Sequence, residues 1–209
     1  MNIALYGATG KAGSRILAEL LVRRHNVTAI ARDPLKLKPH PHLAIKQGDV
    51  HSATAIAANI QGADALISAY APPPGDTDQL ITITQNFIAA VKQMQVPRFL
   101  YVGGAASLEV APGVTLLESG HLPIEWQAIA RSHRDALNLI KKSDINWTCF
   151  SPAAFFEPGK RTGTFRLGKD QLISDAQGNS RISMEDHAIA LVDELEKPQH
   201  ERQRFTIGY

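Results

Sequence analysis

The stretch Ile3-Ala4-Leu5-Tyr6-Gly7-Ala8-Thr9-Gly10-Lys11-Ala12-Gly13 sets a short apolar run directly against three spaced glycines. Residues 3–6 read as a buried strand that ends at glycine. Residues 11–24 then carry Ile16, Leu17, Leu20 and Leu21 on one helical face. Arg23, Arg24 and His25 follow, at the end where positive charge suits a helix dipole. Strand, glycine turn and helix in that order form a phosphate-binding device. Glycine lets the turn be sharp and brings the backbone close to a pyrophosphate, and Gly13 lets the helix pack tightly on the sheet. We therefore expect Gly7, Ala8, Thr9, Gly10, Lys11, Ala12 and Gly13 to hold a dinucleotide.

Outward from that loop, strand and helix patterns alternate. Strands are expected at 27–31, 43–46, 63–69, 99–102 and 146–150, and helices at 54–60, 78–94 and 124–142. Pro72-Pro73-Pro74-Gly75 breaks regular structure, and 107–122 reads as a loop. This alternation predicts an α/β, Rossmann-like, doubly wound parallel sheet. Beyond residue 150 the pattern changes. Residues 164–167 and 171–174 read as a hairpin. Ser183, with Asp186 three residues on, caps a helix over 184–195, and 205–207 is a last strand. The expectation is a single domain, 1–209, whose residues 151–209 form a small substrate lobe.

The 209 residues are 44% hydrophobic and 20% charged, an ordinary globular balance that excludes collagen-like and wholly disordered chains. Cys149 is the only cysteine, so neither an intramolecular disulfide nor a four-thiolate zinc site can form. A net charge of +2 is too weak to argue for nucleic acid. The N-terminus has no signal-peptide pattern, and no apolar run approaches the ~20 residues that span a bilayer. We expect a cytoplasmic protein with no membrane partner. His40-Pro41-His42, with His51 nearby, lacks neighbouring cysteines or paired carboxylates, and no metal is expected there.

The glycine spacing here is Gly7-x-x-Gly10-x-x-Gly13. It resembles that of the atypical and extended short-chain dehydrogenase/reductases, particularly the NmrA-like branch. Further stretches resemble a bacterial subgroup known as NADH-flavin reductases. They are 101–108 (Tyr-Val-Gly-Gly-Ala-Ala-Ser-Leu), Trp147-Thr148, Ser151-Pro152-Ala153, 158–163 (Pro-Gly-Lys-Arg-Thr-Gly), Ile182-Ser183 and 204–209 (Arg-Phe-Thr-Ile-Gly-Tyr). The resemblance spans essentially the whole chain. It implies NAD(P)H as cofactor and a free flavin or a quinone as small-molecule substrate, not a tightly bound flavin.

The second strand ends at Ala31-Arg32-Asp33. An acidic residue ~20 positions past the loop binds the ribose hydroxyls of NAD, whereas a planar cation suits a 2′-phosphate. Arg32 favours NADP, and Asp33 keeps NAD open. The resemblance places Asp49 and Val50 beside the adenine, although Gly48-Asp49 also suits a plain turn. By position, Ser68, Ala69 and Tyr70 line the nicotinamide ribose, and Gly103 and Gly104 leave room for the cofactor. The resemblance makes Ser151, Pro152 and Ala153 a wall on the nicotinamide side.

Most short-chain reductases use a Tyr-x-x-x-Lys pair as proton donor. The corresponding positions here are Trp126 and Ala130, and no tyrosine lies between Tyr101 and Tyr209. Reduction of a simple ketone, or sugar-nucleotide epimerisation, is thereby disfavoured. Flavin reduction is not, because the charge delocalises over the ring and water completes protonation. Candidates for a remaining catalytic group are Ser107 and His133, with His121 as a further histidine. Lys160, Arg161, Arg166 and Lys169 form a basic segment suited to a flavin phosphate or simply to solvent. A non-catalytic, dinucleotide-sensing regulator is the alternative function.

Overall fold

The computed structural model describes residues 1–209. In chain order the elements are β1 (Asn2–Tyr6), α1 (Lys11–Val22), β2 (Asn26–Ala31), β3 (Leu43–Gln47), α2 (Ala53–Ile60), β4 (Ala65–Ser68), α3 (Gln79–Met94) and β5 (Arg98–Val102). They continue with β6 (Glu109–Ala111), β7 (Val114–Thr115), α4 (Ile124–Lys142), β8 (Trp147–Ser151), β9 (Phe155–Glu157), β10 (Arg166–Gly168), β11 (Arg181–Ser183), α5 (Met184–Glu196) and β12 (Gln203–Gly208).

Eight strands form one sheet in the order β10-β12-β8-β5-β4-β1-β2-β3. All neighbours run parallel except β10, which is antiparallel to β12. The chain winds outward from β1 to β3, then returns to β4 on the other side of β1. That reversal opens a crevice at the carboxyl ends of β1 and β4, where ligands bind in doubly wound sheets.

Side chains alternate across each strand and fill two cores. Ile3 and Leu5 of β1 pack with Leu20 of α1 and Leu191 of α5 on one face. Ala4 and Tyr6 pack with Ile56, Phe87 and Leu137 from α2, α3 and α4 on the other. Both cores enclose continuous apolar strands, as expected where helices cover both faces of a parallel sheet.

The residues after 150 enlarge this frame: β12 extends the sheet beside β8, and α5 packs on α1. Two sequence expectations give way to longer-range pairing. The segment 164–167 does not pair with 171–174; β10 instead joins β12, and Gln171 bridges to Glu109. The loop over 107–122 contains the β6–β7 pair. Ser183 caps α5 as expected by accepting from Asp186 N at 3.0 Å. The Asp186 carboxylate does not return to Ser183 N. It accepts from Thr162 N, Thr162 Oγ1, Gly163 N and Tyr209 OH at 2.7, 2.6, 2.8 and 2.7 Å. One buried carboxylate thus ties the 157–164 segment and the last residue to α5.

Candidate functional site

A cavity of about 420 Å3 lies across the carboxyl ends of β1, β2, β4 and β5. Its floor at one end is the glycine loop. Gly7 has φ +83°, and a Cβ there would lie 2.4 Å from Ala69 O. A Cβ on Gly13 would lie 2.0 Å from Gly7 O. Glycine at these positions lets the loop fold back on α1 and lie against the end of β4.

The N-terminus of α1 faces this loop. Its N-cap, Gly10, supplies no side-chain acceptor, and its first turn holds no acidic residue. By contrast, Ser52 caps α2 and Ser183 caps α5. The leading N–H groups of α1 therefore keep their donor capacity and the positive end of the dipole, a combination suited to an anion. A dinucleotide's diphosphate fits this cradle, in which an added Cβ at Gly7 or Gly13 would collide with backbone.

Of the residues singled out in the sequence, Gly7, Thr9, Gly10, Lys11 and Ala12 line the cavity at the loop. Arg32 lines it at the end of β2, and Val50 after β3. Ala69, Tyr70, Gly103 and His133 line its remaining length. Others stand behind these. Ala8, Ser68, Ser151, Pro152 and Ala153 are buried outside the lining. Gly13 packs under the loop, and Gly104 packs against His133. Asp49 is exposed, and its carboxylate accepts from His51 N at 3.0 Å. Asp33 is also outside the lining: its Oδ1 accepts from Leu35 N at 3.2 Å and caps the 3-10 turn Pro34–Lys36.

Ser107 departs from expectation. Its hydroxyl accepts from Arg204 Nη1 at 2.9 Å, and Arg204 also binds Asp170. It braces β12 through Arg204 and does not line the cavity. The basic segment is partly committed as well. Arg161 grips the Glu19 carboxylate at 3.0 and 3.1 Å, and Arg166 donates to the carbonyls of Ser174 and Tyr209. On α4, Trp126 is 59% exposed and Ala130 is buried. In the histidine-rich loop, His42 N donates to His40 Nδ1, and His42 Nδ1 pairs with Asn26.

His133 is the α4 side chain that reaches the cavity. Burial pushes its pKa down to about 4, so the ring is neutral at pH 7. The cavity tyrosines are engaged elsewhere: Tyr70 OH donates to Gln79 Oε1 at 2.9 Å, and Tyr6 OH accepts from Asn59 at 3.4 Å.

Phe156 and Met184 also line the cavity and were not foreseen. No local pattern marks them. They meet because β9 pairs with β11, setting Phe156 opposite Ile182 two residues before Met184. Tyr6, Ile30 and Ala31 were missed too. Their signal was available: they are the last residues of β1 and β2, at the edge where the sheet binds ligands.

Comparison with known proteins agrees with this geometry. The sequence pattern of a family described as NAD(P)H-binding matches residues 7–198. The uncharacterized Bacillus subtilis protein YwnB is 41% identical over 99% of this chain and 98% of its own length. A Bacteroides thetaiotaomicron structure, provisionally assigned as an epimerase, is 46% identical with a TM-score of 0.94, covering 100% of this chain and 96% of its own. A Streptococcus pneumoniae structure, provisionally assigned as an NADH-flavin reductase, is 33% identical with a TM-score of 0.90, covering 100% and 99%. No helix is long and apolar enough to cross a membrane. The phosphate cradle, the switch-point crevice and the match over nearly the whole chain lead to one conclusion: this chain belongs to the NAD(P)H-binding family.

Proposed function

We propose that the protein is an NADPH-dependent reductase that passes a hydride to a diffusible conjugated acceptor, a free flavin or a quinone. One observation carries the reading. A single cavity runs from an uncapped helix N-terminus to a neutral imidazole, without a tyrosine–lysine pair on α4. The diphosphate would sit on Gly7–Gly13, with Arg32 at the 2′-phosphate. The capping role of Asp33 argues against its binding a ribose, and so favours NADP over NAD. Ala69, Tyr70 and Gly103 would border the nicotinamide, with Phe156 and Met184 opposite.

The reduced nicotinamide, when bound, supplies a hydride, which a flavin accepts on a ring nitrogen while water furnishes the proton. The residues of this chain orient the partners and exclude bulk water. His133 would offer a neutral N–H to the acceptor, a hydrogen bond that strengthens as negative charge develops there with hydride arrival. Ser107 has no catalytic part in this proposal. Sugar-nucleotide epimerisation is disfavoured because Trp126 and Ala130 stand where the tyrosine–lysine pair of α4 would be.

Oxidation of NADPH and NADH at 340 nm, with FMN, FAD, riboflavin and a quinone each in turn, tests the proposal. Acceptor-dependent oxidation faster with NADPH is expected. Cofactor binding without oxidation by any acceptor would refute it and favour a dinucleotide-sensing regulator.

A further inference from the structure

The hydroxyl of Tyr101, in the middle of the sheet, lies 3.1 Å from His133 Nδ1. Both side chains belong to the α3/α4 side of the sheet. His133 is level with Gly104, just past the end of β5, because a Cβ on that glycine would touch its imidazole at 3.1 Å. Burial holds the Tyr101 phenol well above its ordinary value, so it is always protonated. The neighbouring Cys149 thiol, pushed up to about 12, stays uncharged as well.

A buried O–H must place its hydrogen on an acceptor. Two groups face the Tyr101 hydroxyl: the Thr84 hydroxyl, which lowers the phenol's pKa and so acts as a donor to its oxygen, and Nδ1 of His133, which is left to take the phenol's hydrogen. An imidazole nitrogen that accepts carries no hydrogen, and in a neutral ring the other nitrogen must then carry it. His133 Nε2 bonds to no protein group, yet it is not sealed, unlike both nitrogens of His187. It is the open atom of a ring that lines the cavity.

We infer that Tyr101 is a positioning residue: its hydroxyl fixes His133 as the Nε2–H tautomer and aims that donor at the acceptor. The donor role of His133 rests on the proposed reductase reading; the tautomer does not. The hydroxyl acts only through His133 and touches neither cofactor nor substrate. A ring held in one tautomer and one orientation needs no reorganisation when charge develops beside it.

Nitrogen-15 NMR of the intact protein near pH 7 tests the inference, with the His133 signals identified by their loss in His133→Gln. The wild type is expected to carry hydrogen on Nε2, with Nδ1 a hydrogen-bonded acceptor. In Tyr101→Phe, the Nδ1 signal should shift toward that of a free acceptor. A wild-type hydrogen on Nδ1, or His133 signals unchanged in a folded Tyr101→Phe, would overturn it. With FMN as acceptor, Tyr101→Phe should lower kcat about tenfold, the equivalent of one positioned hydrogen bond, and leave the KM for NADPH unchanged. In a His133→Gln background the same substitution should have no further effect, whereas an undiminished second loss would overturn the inference. If the wild type oxidises no NADPH, the reductase reading fails and the NMR result alone decides the tautomer.

Discussion

Replacing Asp186 by alanine should destabilise the protein through two backbone groups. The carboxylate accepts Thr162 N and Gly163 N on one oxygen and the hydroxyls of Thr162 and Tyr209 on the other. The hydroxyls have alternatives, Thr164 O at 3.3 Å and Ser183 Oγ at 2.9 Å. The two N–H groups have none. A buried orphan would cost ~1–3 kcal/mol, but Thr162 and Gly163 are exposed, so water satisfies part of each N–H and the sum falls to about 2 kcal/mol. For a chain of this size that is a fall in Tm of roughly 6 °C. The pH dependence fixes the cause. Burial raises the Asp186 pKa, but the hydrogen bonds from Thr162, Gly163 and Tyr209 outweigh it and hold the group below its unfolded value of 3.8. Its stabilisation is therefore complete above that value and is lost as pH falls through the lower, folded pKa. Calorimetric melts of both proteins at neutral pH and near pH 3 measure this. A neutral-pH difference under about 2 °C, or one as large near pH 3, would refute the reasoning.

Three further outcomes follow from the same geometry. Gly13→Ala forces a Cβ onto Gly7 O, and overpacking of ~1–3 kcal/mol should lower Tm and weaken NADPH binding together; unchanged affinity in a fluorescence titration would contradict the close packing. Arg32→Ala should raise the KM for NADPH roughly 10- to 100-fold and barely change that for NADH, since a 2′-phosphate alone loses a charge-assisted bond. Equal losses with both cofactors would remove Arg32 from the ribose end. Because burial lowers the His133 pKa to about 4, kcat should be flat from about pH 5.5 to 8 and change only toward pH 4, where the ring takes a second proton. An inflection between pH 6 and 7 that vanishes in His133→Gln would show the ring to be solvated.

The parts of the fold that were legible in the sequence are those fixed locally. Residues 3–13 declare strand, turn and helix through apolar spacing and glycine, and the strand–helix rhythm extends that reading to residue 150. The parts that were not legible depend on distant partners. Gln171 pairs with Glu109, and Arg166 faces Gly208, although nearer segments had the same short apolar pattern. Asp186 looked like half of a capping box; its four donors lie more than twenty residues away. Ser107 shows the same limit at the site. A serine after β5 fits a substrate contact until Arg204, which arrives on the last strand, takes its hydroxyl. His133 was legible only as a histidine on a helix. Its depth, set by Gly104, and its partner Tyr101 come from the packing of α4 on the sheet.

The most direct test is Gly10→Asp, assayed for NADPH oxidation with FMN beside the wild type. Gly10 has φ −79° and ψ 170°, a conformation open to any residue, and a Cβ there meets only Gly7 O at 3.2 Å. Aspartate is a strong N-cap, which offsets the few tenths of an ångström that Gly7 O must yield to the new Cβ, so the variant should fold with a stability close to that of the wild type. Its carboxylate would occupy the donors of α1 and repel a diphosphate. The expected result is a Tm close to that of the wild type with a loss in kcat/KM for NADPH of about 100-fold or more, the equivalent of ~2.7 kcal/mol. A folded variant that oxidises NADPH as fast as the wild type would contradict the placement of the cofactor on this helix, and with it the proposed active site.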